Sequence, residues 1–214
     1  MSEKKRELVT NVLRKFNDVG IRYALLRSSI DYQIIEIQDW ADIDILVHPD
    51  NRDKAHNILR ENGFIVDPRL NRHTYLYGVA PFRYYRSFSA KIAIDVVYQL
   101  TCKSLNDGEI CPLHKEIQEK AFQNDADKYE VIKKLPKAVE VVYEFTYTLF
   151  NKNGNEEKLR DIYKKVEQVQ DKDKDELEYM LGLVYFRFAP VIIDKFKNKE
   201  VANIKQDYLK FKDY

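Results

Sequence analysis

Three carboxylates stand inside apolar runs that read as β-strands, and they are the side chains of this sequence best suited to chemistry. In Asp42-Ile-Asp-Ile-Leu-Val47, strand alternation puts Asp42 and Asp44 on one face and Ile43 and Ile45 on the other. Two like charges on one face repel each other and lose hydration as they enter an apolar segment. A divalent cation relieves both costs, and paired carboxylates completed by water and phosphate oxygens suit Mg²⁺. Asp95 poses the same problem within the apolar run 91–98. If the two runs are neighbouring strands, three carboxylates converge on one or two metal ions. The competing reading is structural, because an Asp-x-Asp at a strand edge is often a solvated turn or an ion-pair partner. A second isolated Asp in a β-run weighs against it, since burying that group alone is costly.

Between Asp67 and Asp95 there is no acidic residue, yet Arg69, Arg72, Arg83, Arg86 and Lys91 occur there. Tyr75, Tyr77, Phe82, Tyr84, Tyr85 and Phe88 are interleaved with them. Arginine neutralises phosphate and an aromatic ring stacks on a base, so the tract reads as a phosphate-handling surface. It reads equally as a twisted sheet with packed rings and solvated arginines. His73 fits a surface or hydrogen-bonded structural role, and Trp40 either lines a pocket or anchors its loop. Cys102 and Cys111 form no CxxC pair and match no zinc spacing with His114, so reduced structural thiols are expected.

The elements that must position these groups follow from periodicity. Residues 3–18 carry Leu8, Val12, Leu13 and Phe16 at helical spacing, and Gly20 supplies a stop. Short strands are expected at 23–27, 43–47 and 64–66, with a helix after Pro49 capped by Asp50 and buried through Ala55, Ile58 and Leu59. Residues 73–79, 82–88 and 91–98 read as further strands. After the Asn106-Asp-Gly108 turn the pattern becomes helical, with stripes at 138–149, 159–166, 174–189 and 204–211; Pro190 is expected to kink or end the third. The expected architecture is α+β: a mixed β-sheet core backed by helices over 1–112, then an all-helical domain over 113–214.

Composition narrows the function classes. The 36 Lys and Arg residues balance 35 Asp and Glu across 214 residues, which excludes a polycation held to nucleic acid or membrane by bulk charge. Charge does not separate the halves, so any functional field is local. No signal peptide and no membrane-spanning run is visible, and a cytoplasmic protein is expected.

The order of strand, small polar residues, loop, Asp-x-Asp strand, helix and later Asp-bearing strand resembles the nucleotidyltransferase superfamily of the polymerase-β type. Leu25-Leu-Arg-Ser-Ser29 followed by Asp42-Ile-Asp-Ile-Leu-Val47 is similar to the uncharacterised bacterial and archaeal nucleotidyltransferase-like proteins. The resemblance covers about residues 20–100. It implies metal binding by Asp42 and Asp44, completed by Asp95, which also helps activate the acceptor hydroxyl. Ser28 and Ser29, preceded by Arg27, stand where the family carries a Gly-Ser pair that grips the triphosphate; without glycine the backbone has less freedom to approach phosphate. Ala41 stands where a Ser is common, and the loop before Asp42 is longer than in minimal members. The implied activity is Mg²⁺- or Mn²⁺-dependent transfer of a nucleoside monophosphate from an NTP, ATP included, to a small-molecule, sugar or protein hydroxyl. The alternatives are an inactive nucleotide-binding or protein-interaction member of the fold and, from the tract 69–91, an RNA or tRNA nucleotidyltransferase.

Overall fold

Helix α1 (Ser2–Asp18) forms on the stripe Val9, Val12, Leu13 and Phe16, all of which are buried. Gly20, at φ 69°, turns the chain out of it. A computed structural model describes this helix and the rest of residues 2–26, 41–67, 83–103, 110–123, 132–200 and 203–211. The apolar runs that follow form β1 (Tyr23–Leu25), β2 (Ala41–Val47), β3 (Ile65–Val66), β4 (Arg83–Ser87) and β5 (Ile92–Val97). They join in one five-stranded sheet of order β1-β2-β5-β4-β3, with β2 and β5 parallel and the other pairs antiparallel. The fold is therefore α+β with a mixed sheet. The strand expected at 73–79 lies outside the described residues.

Helix α2 (Arg52–Glu61) is preceded by a 3-10 turn over Pro49–Asn51. The cap expected at Asp50 is instead Asn51. Pro49 fixes φ one residue early, so Asp50 falls inside the 3-10 turn, and its N–H donates to His48 Nδ1 at 3.3 Å. Leu59 and Ala55 of α2 then join the α1 stripe against Ile43, Ile45, Val47, Ile92, Ile94, Val96 and Tyr85 in one buried cluster. Both helices thus cover the same face of the sheet. The register assigns the odd-numbered residues of β2 to this covered face, and Asp42 and Asp44 to the other.

Two imidazoles in this layer have their pKa held below the ordinary value of 6.5. For His48 burial acts first and then Arg22, whose Nη2 lies 2.8 Å from Nδ1, with Asp50 opposing. For His56 burial acts first, then Arg83, Arg60 and Arg52, with Asp53 opposing among them. The unfolded chain therefore binds more protons than the folded one just below pH 6.5. Stability from these groups is complete above 6.5 and is lost as pH falls from 6.5 through the folded midpoints. An NMR titration of the imidazole protons should give midpoints below 6.5 for both residues; a midpoint at or above that value contradicts the assignment.

The chain divides into two compact units, Met1–Leu100 with Ala121–Leu135, and Thr101–Lys120 with Pro136–Tyr214. In the first, the N–H of Leu25 donates to the carbonyl of Lys133 at 2.8 Å, so the returning segment lies along β1. In the second, β6 (Thr101–Lys103) pairs antiparallel with β7 (Ile110–Pro112), and Cys102 stands opposite Cys111. Ile110–Pro112, where the sequence pattern suggests helix, is thus a strand. The remaining described elements are α3 (Lys115–Lys120), α4 (Lys137–Asn151), α5 (Glu156–Glu167), α6 (Asp171–Tyr185), α7 (Ala189–Asn198) and α8 (Ile204–Lys210).

The helix expected over 174–189 stops at Tyr185. Phe186 takes φ 48°, a 3-10 turn follows over Phe186–Phe188, and Pro190 sits in the first turn of α7. Proline begins that helix because an N–H is dispensable in the first turn. Among the described residues no helix is long and apolar enough to cross a membrane.

Candidate functional site

Asp44 and Asp95 occupy one rung of the sheet. Parallel pairing of β2 with β5 sets Asp44 opposite Asp95 and Asp42 opposite Ala93. Paired residues of adjacent strands share a face, so all three carboxylates lie on the face away from α1 and α2. Asp42 is exposed, whereas Asp44 and Asp95 are half-buried and Oδ1 of Asp95 is buried. The strands themselves are fixed by the covered face, where Ile43, Ile45, Ile94 and Val96 are fully buried. A one-residue slip would drive the carboxylates into that core, so the apolar alternation holds them in register.

The next strand extends the same rungs. Tyr84 pairs with Asp95, and Arg86 with Ala93. The Tyr84 hydroxyl is pushed above its ordinary pKa by burial first and then by the negative fields of Asp42 and Asp95, with Arg86 opposing. One phenol therefore senses two of the three carboxylates. Arg86 holds its guanidinium 5.2 Å from the centroid of the Tyr84 ring and reaches Asp67 at 3.3 Å, where that carboxylate is buried. The N–H of Asp67 in turn donates to the carbonyl of Tyr84 at 2.9 Å, and on the far side the N–H of Leu26 donates to the carbonyl of Asp44 at 3.0 Å. The row across the sheet thus reads Leu26, Asp44, Asp95, Tyr84, Asp67.

Tyr84, which the sequence offers only as one ring of the arginine tract, and Asp67 are members of this face that the sequence does not join to the carboxylates. Their signal is the two-residue period of β4, which places Tyr84 and Arg86 together, but it becomes useful only once β4 is known to flank β5. The same period divides the arginine tract. Arg86 lies on the carboxylate face, whereas Arg83, paired with Val96, lies on the helix-covered one. Arg83 and Arg86 therefore do not form one phosphate-handling surface.

Arg27, Ser28, Ser29, Trp40, His73, Arg69 and Arg72 lie outside the described residues. Among the described residues, no group of three or more His, Cys, Asp or Glu side chains is arranged to hold a metal ion. The donor chemistry of the Asp42, Asp44 and Asp95 face nevertheless fits a hard divalent ion, since Mg²⁺ is held by one or two carboxylates completed by water and phosphate oxygens. In the second unit, a cleft of about 560 Å³ carries compensated charges, with Lys195 meeting Asp207 at 2.9 Å and Arg160 meeting Glu156 at 3.4 Å. The Cys102 thiol there is pushed up to about 12 by burial and by the neighbouring Cys111, which suits the structural role expected of it.

Compared with known proteins, the chain matches no family model, and no curated protein matches it.

Proposed function

We propose that the protein is a Mg²⁺-dependent nucleotidyltransferase that moves a nucleoside monophosphate from an NTP to a hydroxyl of a small-molecule, sugar or protein acceptor. The observation that carries this reading is the rung Asp44–Asp95 between parallel strands, with Asp42 on the same face. In this reading the first unit is a nucleotidyltransferase core and the helical residues of the second are its accessory domain.

Asp42, Asp44 and Asp95 would hold Mg²⁺ or Mn²⁺. The bound ion supplies positive charge to the triphosphate and lowers the pKa of the acceptor hydroxyl. The reaction forms a bond between the acceptor oxygen and the α-phosphorus and breaks the α–β P–O bond, releasing pyrophosphate. Asp95 takes the hydroxyl proton. Arg86, tied to Asp67, keeps a positive charge on the same face. Arg27, Ser28 and Ser29 would donate to the β- and γ-phosphates.

Incubation with each α-labelled NTP, Mg²⁺ or Mn²⁺ and a cell extract tests the reading. Metal-dependent label transfer that vanishes in Asp42→Asn/Asp44→Asn supports it. Nucleotide binding without transfer would replace it with the inactive nucleotide-binding alternative, and the absence of any nucleotide binding would overturn both.

A further inference from the structure

The helix-covered side of the first unit gathers hydrogen-bond donors that lack a matching acceptor. Arg52, His56 and Arg60 recur every four residues along α2 and so share one helix face. Arg83, at the start of β4, reaches the same place, with Nη1 3.3 Å from His56 Nδ1. The Tyr85 hydroxyl lies 2.9 Å from that same nitrogen. A guanidinium only donates, so Nδ1 is the acceptor and the neutral ring carries its proton on Nε2, as one more donor. The guanidinium of Arg52 lies 5.3 Å from the centroid of the Tyr98 ring. Tyr98 is 2 % exposed, and its buried hydroxyl lies against that of Tyr85.

A census of this cluster is one-sided. Arg52, Arg83 and His56 Nε2 only donate, while Nδ1 is already shared and the Tyr85 hydroxyl already meets Arg83 and Tyr98. Among the described residues no carboxylate lies within ion-pair distance of Arg52, Arg60 or Arg83. Asp53 acts on the cluster only at longer range, so the half-buried guanidinium groups repel one another. Folds retain such a cost where a ligand removes it.

We propose that Arg52, Arg83 and His56 form a binding site for a phosphate group, on the sheet face opposite Asp42, Asp44 and Asp95. Phosphate matches the census because it offers several acceptor oxygens and up to two negative charges to planar guanidinium forks. The exposed Arg60, one turn further along α2, gives a second phosphate of the same ligand a cation at about 6 Å along the helix axis. The phosphate belongs either to a small phosphorylated molecule or to a polynucleotide backbone.

The test titrates the full-length protein with inorganic phosphate, and separately with oligothymidylate, while NMR follows the His56 imidazole. Inorganic phosphate should shift His56 saturably. Arg52→Ala and Arg83→Ala should each weaken binding by about tenfold or more, the usual loss for a charge-assisted hydrogen bond. Arg52→Lys and Arg83→Lys keep the charge but lose the guanidinium fork and should weaken binding by roughly threefold to tenfold. These variants keep the test open if an alanine substitution impairs folding. Oligothymidylate binding more tightly than inorganic phosphate at equal phosphate concentration, and weakened by Arg60→Ala, assigns a polynucleotide source; equal affinities assign a small phosphorylated molecule. No saturable shift at His56, or a shift that survives both Arg52→Ala and Arg83→Ala, overturns the proposal.

Discussion

Asp44→Asn should cost more than about a hundredfold in nucleotidyl transfer and should remove most of the stabilisation that Mg²⁺ gives the fold. The loss of activity follows from taking away a carboxylate proposed to hold the metal, since even groups that merely orient such ligands are worth about 10–100-fold. The loss of the Mg²⁺ response follows because a ligand stabilises the state that binds it and the variant has lost an oxygen donor from the rung shared with Asp95. Thermal unfolding of both proteins with and without Mg²⁺ reads the second effect directly. A variant that responds to Mg²⁺ as strongly as wild type would contradict the shared carboxylate face.

The carboxylate face is partly legible in the amino-acid sequence, and the reason is the short period of a β-strand. Asp42 and Asp44 stand two residues apart in an apolar run, so their common face is a local property. That Asp95 shares their rung is not local: it depends on a crossover that leaves β5 parallel to β2, and nothing within either strand encodes the partner. The neighbours on the face show the same limit. Tyr84 belongs to it through β4, and Asp67 through the ion pair with Arg86, far along the chain. The arginine tract misleads for the opposite reason. Closeness in sequence suggests closeness in space, yet Arg83 and Arg86, an odd number of residues apart, must point to opposite faces of a strand.

Helices are more legible because one element carries its whole signal. The α1 stripe and the stripe expected over 159–166, which lies in α5, stand as the periodicity indicates. Ends are less legible. Asp50 and Pro190 each belong to the turn beside the place expected for them, because a proline marks where a helix can begin as readily as where one ends. The break at Phe186 has no signature in composition: an aromatic residue at φ 48° is held there by the packing of its neighbours.

Two phenylalanines of the helical unit should therefore respond in opposite directions. Phe145, in α4, is fully buried and meets Tyr185 edge to face at 5.6 Å and Phe196 at 5.2 Å. Phe145→Ala opens a cavity among rings that cannot collapse into it and should cost about 3–5 kcal/mol, lowering the melting temperature of this unit by roughly 12–40 °C. Phe186 is 70 % exposed and holds the left-handed backbone that glycine adopts without strain. Phe186→Gly should relieve about 1 kcal/mol of backbone strain, offset in part by the greater freedom of glycine in the unfolded chain, and so leave stability unchanged or slightly raised. Hydrogen exchange at the amides of α4 isolates this unit from the first. Exchange there should accelerate by about two to four orders of magnitude in Phe145→Ala and stay at the wild-type rate or slower in Phe186→Gly. Comparable acceleration in both variants would mean that Phe186 is held by tertiary packing that its exposure conceals.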